Sequence, residues 1–205
     1  MKVEVDEDGE LVRRARGGDF AAFEALVSRH EGRVFALAMR LTRRREDAED
    51  VVQDSFLSVV EHLEGFREES TFLGWLLRIA TNHALKILRK RRGLPTVTLE
   101  EGWGELPLPD HIAPWAREPA EAAGDPEVKK LLEAALDDLD EKYRAVFVLR
   151  DVEGLSTSDA AAAIEISENN VKVRLLRARL MLRERLTKAL GDPARQMTRP
   201  GDHQP

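Results

Sequence analysis

Between residues 66 and 90 the chain gathers the kinds of side chain that hold single-stranded nucleic acid. On a helix that turns about 100° per residue, an indole, an amide and several cations share one stripe, formed by Thr71, Trp75, Arg78, Asn82, Lys86 and Arg89. Aromatic rings stack on exposed bases while cations follow a phosphate backbone, so the stripe indicates contact with unpaired strands. Just before it, Phe66, Ser70 and Thr71 place a ring and hydroxyls at a helix start, where backbone N–H groups are free. Trp75 could equally be a partly buried core residue.

A second basic helix near residue 175 carries a different chemistry. Its apolar stripe predicts a core-facing side, and the opposite side carries Asn169, Lys172, Val173, Leu176 and Arg177. Amides and guanidinium groups read base edges, small apolar groups meet thymine methyls, and cations hold phosphates, so the pattern fits a helix in the DNA major groove. A basic face that is merely solvated is the alternative. The capping-box spacing of Ser156 and Asp159, with a short helix and turn after it, favours a helix-turn-helix.

An acidic helix lies between residues 46 and 63. Glu46, Asp50 and Asp54 are spaced four apart and therefore share a face. Such a cluster could bind a metal ion, but no histidine lies close in sequence and the apolar spacing continues through the segment. The pattern favours a solvated or partner-facing acidic surface, suited to docking on a basic element of another protein.

Apolar residues at three- and four-residue spacing predict helices nearly throughout, and strands are poorly supported. We therefore predict an all-α fold of two small helical domains, residues 1–92 and 126–190, joined by an irregular linker. The linker, 93–125, is acidic and holds five prolines. It also contains Trp103 and Trp115, which either dock against a partner or fold back on a domain. The tail, 191–205, is predicted to be disordered.

Composition and charge narrow the function classes. The 205 residues include no cysteine, which excludes a disulfide framework and thiolate metal sites. No apolar run approaches the roughly 20 residues that a membrane helix needs, and the acidic N-terminus lacks an apolar signal core, so we expect a cytoplasmic protein without membrane insertion. The net charge of −6 is unevenly distributed: residues 70–99 contain no acid, and residues 171–188 contain one. Two basic blocks among acidic ones predict two anion-contacting surfaces.

The same segments resemble a known family. DAEDVVQDSFL at 47–57 and FREESTFLGWLLRIATNHALKILRKRR at 66–92 resemble region 2 of the sigma-70 family. YRAVFVLRDVEGLS at 143–156 and VKVRLLRARLMLRERL at 171–186 resemble region 4. With only these two regions, in order, the chain is similar to the compact extracytoplasmic-function (group 4) sigma factors, over roughly residues 18–92 and 129–190.

The resemblance implies a role for each surface. The acidic helix would dock on the clamp coiled coil of the largest RNA polymerase subunit through Asp47, Asp50, Gln53 and Asp54. The −10 element, opened to a single strand, would contact Phe66, Ser70, Thr71, Trp75, Arg78, Asn82, Lys86, Arg89 and Lys90. The duplex −35 element would contact Asn169, Asn170, Lys172, Val173, Leu176 and Arg177. The linker would pass through the polymerase channel, and an anti-sigma protein would commonly hold the free factor.

The chain also departs from the family pattern. Glu165 stands where the family's turn usually has glycine, Asn169 and Asn170 replace Gly-Thr, and Val173 replaces a common serine. A left-handed residue other than glycine in that turn costs about 1 kcal/mol. Because these changes lie in the DNA-reading segment, the promoter sequence cannot be inherited from a relative.

The resemblance predicts an alternative sigma factor with no cofactor, no metal and no enzymatic chemistry of its own. A stand-alone helix-turn-helix regulator, with the N-terminal bundle as a sensing or dimerising module, is the first alternative. A metal-dependent enzyme that uses the acidic helix is the second. A sigma factor would bind core RNA polymerase, whereas a regulator would bind duplex operator DNA alone.

Overall fold

The computed structural model describes residues 8–67, 70–91 and 126–190, with side chains from 130 to 186 in the last range. These residues form helices and connecting turns, without strands, which confirms the predicted all-α fold for this part of the chain. The linker, with Trp103 and Trp115, and the tail lie outside the described residues. The helices are α1 Gly9–Arg16, α2 Phe20–Thr42, α3 Arg45–His62, α4 Phe72–Arg91, α5 Pro126–Asp137, α6 Glu141–Phe147, α7 Thr157–Ile164 and α8 Glu168–Leu190.

Side-chain caps at helix starts account for several of these boundaries. An Asp19 carboxylate oxygen accepts a hydrogen bond from the Ala22 N–H at 3.1 Å, and the Ser156 hydroxyl accepts one from the Asp159 N–H at 3.0 Å. The Ser167 hydroxyl accepts from the Asn170 N–H at 3.2 Å at the start of α8. Each bond satisfies a donor that the first helical turn leaves unpaired. The cap that the sequence predicted at Ser156 is therefore present, and Asp19 and Ser167 cap their helices in the same way.

The first four helices pack into a bundle with α2 at its centre. Leu26, Val34 and Leu37 of α2 are buried, and α1, α3 and α4 all pack against this helix. A short 3-10 turn, Leu63–Gly65, follows α3 and leads toward α4. This bundle supplies the scaffold on which the basic stripe of α4 is held.

The four C-terminal helices pack directly on the first bundle. Helix α7 lies against α4, and buried residues of α6, α7 and α8 join the same apolar core as α2 and α4. The sequence predicted the two helical groups but not this contact between them. A smaller apolar cluster, built from α5, α6 and α8, supports the second group from its far side.

A buried carboxylate links the two groups of helices. The Glu153 side chain is only 3% exposed, accepts from Arg33 Nε at 2.9 Å and lies 3.3 Å from an Arg40 terminal nitrogen. The Arg33 side chain also donates to the Glu153 carbonyl at 3.1 Å. A buried charge is tolerated only when it is paired and hydrogen-bonded, and the pairing with these two arginines offsets the desolvation cost of Glu153.

The turn between α7 and α8 contains a strained residue. Glu165 has φ +56° and ψ +45°, in the left-handed region, and the Ile166 N–H donates to the Ala161 carbonyl at 3.1 Å. Glycine adopts this conformation without the steric cost that a Cβ adds. The structure thus places Glu165 in the left-handed position expected from the family's glycine.

We expect Glu165→Gly to stabilise the protein by about 1 kcal/mol, because it removes that steric cost. Urea unfolding monitored by circular dichroism measures the change. Gly154→Ala is the matched reverse control, since Gly154 has φ +74° and an added Cβ would meet no atom within 4 Å. A lower midpoint for Gly154→Ala with no gain for Glu165→Gly would contradict the assignment of strain to Glu165.

We expect Glu153→Gln to weaken the contact between the two helical groups. The free energy of unfolding should fall by about 1–3 kcal/mol, because charge-assisted hydrogen bonds become neutral ones while both arginines can still reach water. Because the chain has no cysteine, Glu24→Cys and Ala162→Cys allow a donor–acceptor dye pair to report the distance between the groups. Glu49→Gln, which removes the carboxylate paired with the exposed Arg45, is the control. If Glu153→Gln changes neither the dye-to-dye distance nor the midpoint of urea unfolding, Glu153 does not hold the two helical groups together.

Candidate nucleic-acid and protein interfaces

Helix α4 presents its basic stripe to solvent along one side. Leu76, Leu77, Ala80 and Ala84 are buried beneath it, and the exposed side chains are Thr71, Arg78, Asn82, Lys86 and Lys90. Ser70, Trp75 and Arg89 are half-buried at its margins. Among the described residues, no carboxylate pairs with Arg78, Lys86 or Lys90. The stripe therefore presents positive charge that is available to an anionic partner.

An aromatic cluster anchors the start of this stripe. The Phe66 ring lies 5.0 Å from the Trp75 ring and 6.2 Å from that of Phe72, between centroids, and the Arg16 guanidinium stands 5.7 Å from the Phe66 centroid. The sequence suggested Phe66 as a DNA-contacting ring, but the structure places it in the core with 6% exposure. It is buried because it fills the space between the short turn after α3 and the first turn of α4. The Phe66 ring would have to turn outward to meet a base.

Thr71 is exposed, and its hydroxyl also caps a helix. It accepts a hydrogen bond from the Gly74 N–H at 3.1 Å and so caps the start of α4. The cap fixes where the helix begins and therefore the angular position of Trp75, Arg78 and Asn82. Thr71 holds the stripe in place whether or not its hydroxyl also meets a strand.

Helix α8 has the two-sided arrangement that the sequence predicted. Val171, Leu175, Ala178 and Leu182 are buried. On the other side, Asn169, Lys172 and Leu176 are exposed, and Asn170, Val173 and Arg177 are half-buried. Leu176 is a large apolar side chain that is 51% exposed to solvent.

Several arginines of the second basic block serve the fold instead. Arg179 donates two hydrogen bonds to the Asp151 carboxylate, at 2.7 and 2.8 Å, and this contact raises the pKa of Arg179. Arg185 donates to the carbonyls of Ala135 and Asp138 at 3.0 Å each. Arg174 is buried, which lowers its pKa. The positive charge available on the outer side of α8 is consequently smaller than its sequence suggests.

The acidic residues of α3 are divided between pairing and exposure. Asp50, Gln53 and Asp54 are exposed, whereas Asp47 is half-buried and accepts from Arg91 at 2.9 Å. The Asp54 carboxylate lies 3.8 Å from His83 Nδ1, and the other nitrogen of that ring is 3.0 Å from the Ser58 hydroxyl. Within the described residues no three His, Asp or Glu side chains are placed to hold a metal ion.

Two exposed apolar side chains continue the acidic face of α3. Leu57 and Val60 are 53% and 60% exposed, and they follow Gln53 by four and seven residues on the same side of the helix. The residues that the sequence predicts for polymerase docking on this face are all polar. Both apolar residues fall outside the core spacing of α3, and that signal could have identified them.

Comparison with known proteins agrees with this arrangement. The sigma-70 region 2 family model matches residues 26–93, and the sigma-70 region 4 model matches residues 129–182. The ECF RNA polymerase sigma factor SigE of Mycolicibacterium smegmatis is 35% identical over 86% of this chain and 67% of its own length. The RNA polymerase sigma-H factor of Pseudomonas aeruginosa is 32% identical over 90% of this chain and 94% of its own.

Solved structures show the same architecture. CnrH, in complex with the cytosolic domain of CnrY, superposes with a TM-score of 0.57 at 27% identity and covers 89% of this chain and 96% of its own. The sigma factor RpoE, in complex with the anti-sigma factor NepR from Bartonella quintana, superposes with a TM-score of 0.55 at 26% identity. The match covers 82% of this chain and 97% of the RpoE chain.

A helical pair of regions that match sigma-70 regions 2 and 4 defines a transcription-initiation factor rather than a stand-alone regulator. The chain belongs to the extracytoplasmic-function sigma factors of the sigma-70 family, the proteins that direct RNA polymerase to promoters. The family prediction made from the sequence is confirmed. None of the helices in the described ranges is long and apolar enough to cross a membrane.

Proposed function

We propose that this sigma factor acts in the cytoplasm by binding alone, without catalysis, and that three surfaces divide the work. Exposed residues of α3 bind core RNA polymerase, the stripe of α4 holds the opened −10 strand, and the outer side of α8 reads the −35 duplex. The observation that supports this most strongly is the stripe itself: cations and an amide are aligned along one exposed side of a helix whose opposite side is sealed in the core. The ends of the two matched family regions, at residues 93 and 129, support a domain division near residues 92 and 126, with 93–125 as the connecting linker.

The −10 surface would act by capturing unpaired bases. The guanidinium group of Arg78 and the amide of Asn82 can form hydrogen bonds to a base, and the half-buried Trp75 ring exposes an edge beside them. Lys86, Arg89 and Lys90 lie further along the helix and would contact the phosphates of the strand. Ser70, Thr71 and Phe66 stand at its beginning. Binding energy for the separated strand offsets the cost of unpairing the duplex, so opening requires no chemical step.

The −35 surface would read paired DNA. Asn169 and Asn170 lie at the start of α8, where a recognition helix contacts base edges, and Lys172, Val173, Leu176 and Arg177 extend this side. Amide groups favour adenine and guanidinium groups favour guanine in the major groove. The duplex contact would thus be separate from the single-strand contact on α4.

The polymerase surface would combine charge with apolar contact. Asp50, Gln53 and Asp54 provide polar specificity, Leu57 and Val60 provide apolar area, and Asp47 contributes from its pair with Arg91. Apolar anchors surrounded by polar groups are the usual composition of a protein interface. We further propose an anti-sigma protein as a regulatory partner, since both similar structures are complexes, one of them with a named anti-sigma factor.

We expect Asp50→Arg to reduce binding to core RNA polymerase about a hundredfold or more, since like charges placed together at an interface cost several kcal/mol. Fluorescence anisotropy of labelled factor against purified core enzyme measures the affinity. Glu24→Arg makes the same charge change at an exposed position on α2 and should bind as the unmodified protein does. Retained affinity in Asp50→Arg, with native circular dichroism, would remove the docking assignment.

We expect Arg78→Ala with Asn82→Ala to impair strand opening by roughly tenfold or more and to leave duplex capture nearly intact. Permanganate reactivity of unpaired thymines in the holoenzyme complex measures opening, and a filter assay on −35 duplex DNA measures capture. The mirror variant, Lys172→Ala with Arg177→Ala, should lose duplex capture yet still initiate from a pre-melted template. Equal losses of both steps in both variants would contradict the division of labour. Run-off transcription across a pool of random promoters then identifies the recognised sequence.

A further inference from the structure

A basic cleft lies at the junction of the two helical groups. Its volume is about 490 Å³, within the range of small-molecule sites. Both groups line it, and its charged side chains are Arg43, Arg44, Arg91, Asp140, Glu141 and Arg144. Four guanidinium groups and two carboxylates therefore line one partly enclosed space.

Three of the arginines lie toward the rim of this cleft and already touch carboxylates. Arg43 Nε lies 3.3 Å from an Asp137 oxygen, Arg44 lies 3.2 Å from Glu46, and Arg91 lies 2.9 Å from Asp47. These three side chains remain well exposed, between 39% and 52%. The Arg43 and Arg44 pairs are exposed on both partners and contribute little energy, so these two guanidinium groups can turn to a new anion. The Asp47 partner of Arg91 is only 16% exposed.

The fourth arginine, Arg144, is in a different position. It is 3% exposed, and its terminal nitrogens donate to the Leu139 and Leu41 carbonyls at 3.1 Å each. Among the described residues, its Nε has no hydrogen-bond partner and no carboxylate oxygen comes within ion-pair distance of it. Burial, together with the nearby charge of Arg43, lowers its pKa and outweighs the opposite effect of nearby carboxylates. The carboxylates of Asp137, Asp140 and Glu141 act on Arg144 only from beyond ion-pair distance. A buried cation without a direct ion pair is costly, and an anion in the cleft would reduce that cost.

We propose that this cleft binds a phosphoryl anion, either inorganic phosphate or the phosphate of a small phosphorylated molecule, through Arg43, Arg44, Arg91 and Arg144. Guanidinium groups match the oxygens of phosphate with paired, charge-assisted hydrogen bonds. The cleft exceeds the size of one phosphate, so pyrophosphate or a mononucleotide also fits. Because both groups of helices line the cleft, a bound anion would stabilise their contact.

The test uses the full chain with inorganic phosphate, pyrophosphate and ATP without magnesium as separate probes. Thermal unfolding and calorimetric titration are carried out at constant ionic strength, balanced with potassium chloride. At least one probe should raise the midpoint in a saturable way that chloride does not reproduce. Saturable binding of phosphate itself assigns the free ion, and binding of only pyrophosphate or ATP assigns a polyphosphate compound.

The variants locate the site. Arg43→Gln with Arg44→Gln should weaken probe binding at least about tenfold, because two of the four cations are lost. Arg45→Gln changes the next residue, an exposed arginine that pairs with Glu49 and does not line the cleft, and should bind normally. If the double variant does not fold, Arg91→Gln serves in its place. Absence of any saturable response in the unmodified chain, or equal binding by the cleft variants, would overturn the proposal.

Discussion

Helix α4 has to bury apolar side chains against three neighbours at once, and this constraint determines which of its side chains can reach solvent. It packs on α2, on α3 and on α7, so its side chains are enclosed over most of the circumference. Ala80 and Ala84 are fully buried, and their small size lets neighbouring backbones come close. What remains is a narrow exposed strip, and the cations of α4 are concentrated on it.

The helices themselves were predictable because their signals are local. Apolar spacing and caps act within a few residues, so Asp19, Ser156 and Ser167 could be recognised as helix starts from the sequence alone. The left-handed Glu165 was also foreseeable, because the family that the sequence resembles usually has glycine at this position of the turn. The two-sided character of α4 and α8 follows from periodicity in the same way.

Features that depend on distant residues could not be predicted in this manner. Glu153 pairs with Arg33 and Arg40, which lie more than a hundred residues away in sequence. No pattern in the residues next to Glu153 indicates that its side chain is buried. Phe66 lies in the core because of where the turn after α3 places it. Charge blocks are equally ambiguous, since Arg179 and Lys172 belong to the same block but one is paired with Asp151 and the other is exposed.

The shared core between the helical groups has a consequence for how strongly partners appear to bind. Parting the groups would uncover apolar surface on α4 and α7 and return one carboxylate and two guanidinium groups to water. A partner that fits only the parted arrangement has its measured affinity reduced by the equilibrium fraction in which the groups are apart. A change of about 1 kcal/mol at this internal seam would then alter that affinity about fivefold, although no atom touching the partner has changed.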